Sequence, residues 1–135
     1  MSLLESLKKH TVIVADTGDI EAIAKHRPQD ATTNPSLLLK AAQQPAYRSL
    51  VEEALRFANA QPVAEAERRV VFMDKLAVAF GIQILKIIPG RVSTEVDAIH
   101  SFDTEGTIAK ARHLIGLYEQ AGVDRKRILI KVGST

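Results

Sequence analysis

Four short runs rich in β-branched residues, at 11–16, 29–33, 91–96 and 127–132, alternate with stretches of helical periodicity along this chain. That alternation constrains the fold more than any other feature. Strands separated by helix-length connections pair in parallel, whereas an antiparallel partner needs only a tight turn. The first run ends in Asp16-Thr-Gly-Asp and the second is closed by Asn34-Pro35, so each strand gives way to a turn and a capped helix. In the third run Val92, Thr94 and Val96 fall on one face, Ser93 and Glu95 on the other. The fourth reads as a buried strand carrying one charge, Lys131.

Ser2 and Glu5 suit a capping box for a short helix that ends near His10 and covers one end of the core. Further helices are expected at 20–25, at 35–42, from Pro45 with an apolar stripe that includes Tyr47, Leu50, Ala54 and Leu55, at 64–88, and at 104–120 before Gly122. Gly81 is a point where the long 64–88 segment would bend or break. The pattern is α/β, read as one domain over residues 1–135. It fits either a small open sheet with helices on both faces or about four β/α units of an eight-stranded barrel, whose complete form takes about 250 residues.

Composition narrows the function classes. At 46% hydrophobic and 25% charged, the chain is an ordinary globular sequence. A net charge of +2 with both signs interspersed gives no nucleic-acid footprint. Its apolar stretches are too short and too interrupted for a bilayer, so no membrane partner is expected. With no cysteine, thiol chemistry is excluded, and an N-terminus lacking a long apolar core points to a cytoplasmic location.

Asp16, Asn34, Glu95 and Lys131 each stand at or near the C-terminal end of a different expected strand, the face where β/α barrels gather catalytic groups. A desolvated lysine there is a nucleophile able to condense with a carbonyl. Glu95 can move protons through water during imine formation, Asp16 can take a proton from a substrate hydroxyl, and Asn34 can hydrogen-bond one without adding charge. Each also has a structural reading: Asp16 as a turn residue, Asn34 as a helix cap, Glu95 as the ion-pair partner of Lys131. A metal reading of Asp16, Asp19 and Asp97 is weaker, and the four histidines lack ligand spacing, so no metal site is expected.

The blocks around Asp16-Thr-Gly-Asp, Asp30-Ala-Thr-Thr-Asn34-Pro-Ser-Leu, Pro89-Gly-Arg-Val-Ser-Thr-Glu95-Val-Asp and Arg127-Ile-Leu-Ile-Lys131 resemble those of the transaldolase family, in the same order. The resemblance implies a β/α barrel and a cofactor-free transfer of a dihydroxyacetone unit between sugar phosphates in the pentose phosphate pathway. It implies Lys131 as the Schiff-base lysine, Glu95 and Asp16 as acid/base carboxylates, Asn34 as a substrate-binding amide and Thr33 as a further lining residue. It covers only the N-terminal half of the family. The later serine, threonine and phosphate-binding arginines have no counterpart here, Ile99-His100 stands where an arginine is usual, and Gly133 replaces a small residue with a side-chain carbon. Turnover by these residues alone is therefore expected to be very low or absent. Open sheet edges imply pairing with a second copy. The alternative is a truncated, inactive chain serving as an oligomerising or interaction module.

Overall fold

All four strands form where the β-branched runs lie, each shorter than its run. The computed structural model describes residues 2–133. Its elements are α1 (Leu3–Leu7), β1 (Val14–Asp16), α2 (Ile20–His26), β2 (Asp30–Thr32), α3 (Pro35–Ala42), α4 (Arg48–Asn59), α5 (Glu65–Leu85), β3 (Val92–Glu95), α6 (Thr104–Gln120) and β4 (Ile128–Lys131). Single 3-10 turns precede α4 (Pro45–Tyr47), follow β3 (Ala98–His100) and precede β4 (Arg125–Arg127).

The sheet runs β1-β2-β3-β4, every pair parallel. This order decides between the two architectures. A doubly wound sheet reverses direction at a switch point and carries helices on both faces. Here the strands never reverse, and only one face is covered. In the row Ala31, Val92 and Ile128 all three side chains are buried. One residue along, the row Asp16, Thr32, Ser93 and Leu129 points the other way, and Leu129 is 42% exposed. The chain is a sector of a singly wound β/α barrel.

Against the covered face pack Ile23 of α2, Val78 and Ile84 of α5, and Leu114 and Tyr118 of α6. A second cluster, with Leu38, Ala41, Tyr47 and Ala54, places α3 and α4 against Leu76 and Phe80 on α5. Enclosed between the two clusters, α5 is buried almost all round over its second half. Gly81 neither bends nor breaks it. A Cβ there would lie 1.8 Å from the Tyr118 hydroxyl, so the glycine serves the close approach of α6. That hydroxyl shares a 2.7 Å hydrogen bond with Thr94 Oγ1. Burial pushes the Tyr118 phenol up to about 12, and the Thr94 hydrogen bond offsets part of the effect.

Several expected boundaries and contacts differ. Helix α5 stops at Leu85 rather than 88, where the bonds from the Lys86 and Ile87 amides tighten to three-residue spacing. Arg127 then donates to the carbonyls of Leu85, Ile88 and Gly90, satisfying a helix end that has lost its own donors. Helix α1 ends three residues early and buries nothing, with Leu3 92% exposed, so it does not cover the core. Leu55 is exposed, because α4 meets α5 through the small Ala54 and Ala58, and the next position along turns away. No helix among the described residues is long and apolar enough to cross a membrane.

Candidate active site

Glu95 and Lys131 occupy the same register position on neighbouring parallel strands, so their side chains leave the open face together. Lys131 Nζ forms an ion pair with Glu95 Oε2 at 3.2 Å and donates a hydrogen bond, also 3.2 Å, to Thr32 Oγ1. To reach Thr32 it spans β3. Its side chain is 35% exposed and that of Glu95 22%. The expectation of a lysine inside a buried strand is thus corrected: only one side of β4 is covered, and the ammonium meets solvent and a carboxylate.

Asn34 caps α3, its Oδ1 accepting from the Leu37 amide at 2.8 Å. The cap fixes the amide's orientation and leaves its NH2 group without a partner among the described residues. Asn34 and Glu95 line one cleft of about 410 Å3 at the ends of β2 and β3, together with Pro35, Ser36 and Asp97. Asp16 ends β1 on the same open face. The turn after it is held by Thr17 Oγ1, which accepts from the Asp19 amide, and by Asp19, which caps α2. Asp16 itself is exposed and its carboxylate has no hydrogen bond or ion pair among the described residues. The turn role therefore belongs to its neighbours.

The strands do not bring all of these groups into contact. Asp16 and Lys131 stand on opposite edge strands, and Asp16 shares its row with Leu129, two residues before Lys131. Thr33 is buried, and its hydroxyl donates to the Ser93 carbonyl at 3.3 Å. The hydroxyl beside Lys131 belongs to Thr32, which sequence reasoning missed. Strict alternation from the apolar Ala31 would have assigned Thr32 to the open face. A Cβ on Gly133 would sit 3.9 Å from Glu95 Oε1, an ordinary contact, so the missing side-chain carbon leaves the pair undisturbed. Asp19 and Asp97 are both engaged as caps, Asp97 Oδ1 accepting from the Ile99 amide.

A lysine nitrogen beside a carboxylate and a hydroxyl, with a donor amide across a cleft, is a constellation that can serve carbonyl condensation once the lysine is deprotonated. Comparison with known proteins identifies the family to which the chain is similar. The sequence profile of the family described as Transaldolase/Fructose-6-phosphate aldolase matches residues 13–135. A transaldolase of Haemophilus ducreyi is 57% identical over 135 residues, all of this chain and 43% of the relative. One from Shewanella baltica is 59% identical over 132 residues, 98% of this chain and 42% of the relative. The chain thus spans less than half the length of the curated relatives it matches.

Proposed function

This chain belongs to the transaldolase/fructose-6-phosphate aldolase family, and from that premise we propose that it carries the Schiff-base half of a transaldolase site. Lys131 Nζ adds to the C2 carbonyl of sedoheptulose 7-phosphate, and loss of water gives an imine. Glu95 relays the protons of addition and dehydration through water. Asp16 takes the C4 hydroxyl proton as the C3–C4 bond breaks and erythrose 4-phosphate leaves. The three-carbon enamine that remains on Lys131 attacks the aldehyde of glyceraldehyde 3-phosphate, whose oxygen recovers a proton. Water then releases fructose 6-phosphate and the free amine. The Asn34 amide donates to a substrate hydroxyl.

The observation that carries this reading is the pairing of Lys131 with Glu95 at 3.2 Å on the open face of the strand ends. Borohydride trapping with fructose 6-phosphate, read by intact mass and peptide mapping, tests it. A single adduct on Lys131, absent from Lys131→Ala, is expected even where turnover is very low. A folded sample that gives no adduct overturns the reading and leaves the interaction-module alternative.

The exposure of Val14 and Leu129 on that same face favours a covering partner. In the isolated chain we propose a second copy. Two sectors related by a twofold along the strand direction set β4 of each beside β1 of the other, giving eight parallel strands without an edge.

A further inference from the structure

A further cavity opens beside the strand-end cleft. It lies between α5, α6 and the turn after β3, has a volume of about 640 Å3, and is walled by Val70, Met73 and Ile99 with Arg69, His100 and His113 around them. Part of its lining is an ion pair that the chemistry above does not use. Lys110 donates to Asp74 Oδ2 at 2.7 Å, with the two side chains only 11% and 13% exposed, and His113 Nε2 lies 3.4 Å from the same oxygen. Because Lys110 neutralises Asp74 and the Asp97 carboxylate caps its own turn, the acidic groups here are already engaged. Arg69 is not: it has no hydrogen bond or ion pair among the described residues. The imidazole of His100 is likewise unpaired. The cavity falls in the size range of small-molecule sites and combines apolar walls with a few convergent donors.

We propose that this cavity binds a small amphipathic organic anion, an aromatic or branched apolar body bearing one carboxylate or sulfonate. The apolar body lies along Val70, Met73 and Ile99. The charge meets Arg69 and the imidazole donors, since a guanidinium with its fork unpaired suits a planar oxyanion. The buried pair keeps Asp74 from repelling the ligand, and so turns what would be an acidic wall into a neutral one. Lys131, Glu95 and Asn34 are not among the lining residues, and Asp97 is shared with the cleft at the strand ends.

Anilinonaphthalene sulfonate is a suitable probe, and its uncharged parent, anilinonaphthalene, isolates the charge. Fluorescence titration of the full chain should give saturable binding of the sulfonate, about tenfold tighter than the parent, the factor expected for one charge-assisted hydrogen bond. Ala109→Phe, at an exposed position lining the cavity, should weaken binding at least about tenfold by filling it. Arg69→Gln should remove the preference for the charged probe, while Lys131→Ala and Leu129→Asn leave binding unchanged. Equal affinity for the two probes, or full binding by Ala109→Phe, would overturn the proposal. So would a loss of binding confined to Leu129→Asn, which would assign the probe to the open sheet face.

Discussion

Lys131 is held by two groups of different kinds, and each makes a distinct prediction. Glu95→Gln keeps the shape but not the charge, so the rate of borohydride-trapped adduct formation should fall about a hundredfold, the lower range for loss of an acid/base group. Thr32→Val removes only the hydrogen bond that steers the amine across β3, and should slow adduct formation several-fold while leaving the Lys131–Glu95 pair intact. A rapid-quench series with fructose 6-phosphate distinguishes the two. The placement of Lys131, Glu95, Asn34 and Asp16 at strand ends was legible in the sequence because polar residues there stand out against apolar runs. Thr32 was not, since in the Thr32-Thr33 doublet only the face tells the two hydroxyls apart. Tyr118 gives a residue-scale prediction about stability. Its folded pKa is about 12 against an ordinary 10, so the unfolded chain loses the proton first. Stability is fully present below pH 10 and falls as pH rises towards 12, by on the order of 2–3 kcal/mol. Urea midpoints measured across that window should show this loss in the parent chain and a correspondingly smaller one in Tyr118→Phe.

At the scale of elements, the pattern of four strands and six helices was readable because hydrophobic periodicity switches cleanly between two and 3.6 residues. The behaviour of α5 was not. A glycine within a helical run normally signals weakness, and nothing local shows that Tyr118, 37 positions further on, occupies the space of the missing Cβ. Gly81→Ala therefore sets two effects against each other: about 1 kcal/mol of helix propensity gained, and overpacking that costs about 1–3 kcal/mol. With the Tyr118 hydroxyl occupying the place of the added Cβ, the second should win. A double-mutant cycle with Tyr118→Phe, read by denaturant unfolding, should recover part of the loss, because removing the hydroxyl relieves the nearest clash. The overestimated lengths of α1 and α5 have a common cause. Each ends in three-residue bonds, from the Lys9 and His10 amides after α1 and from the Lys86 and Ile87 amides after α5, where Arg127 also takes the freed carbonyls.

For the whole molecule, strand order and one-sided burial identify a barrel sector, which the β/α pattern alone left undecided between two architectures. Light scattering on the isolated chain should give a defined dimer mass, and Leu129→Asp should shift it towards monomer by placing a charge in the face that the second sheet would cover. A monomer at all concentrations, or polydisperse aggregate, would dismiss the two-sector arrangement. The reach of Lys131 over β3 has a mechanical consequence as well. Strand β4 is an outer strand, and its last residue ties it both to β3 and, through Thr32, to β2. The amine acts as a latch on the sheet's own margin. A carbonyl compound that converts it to an imine takes away N–H groups that hold Thr32 and Glu95, so adduct formation would unfasten the edge and hydrolysis would fasten it again.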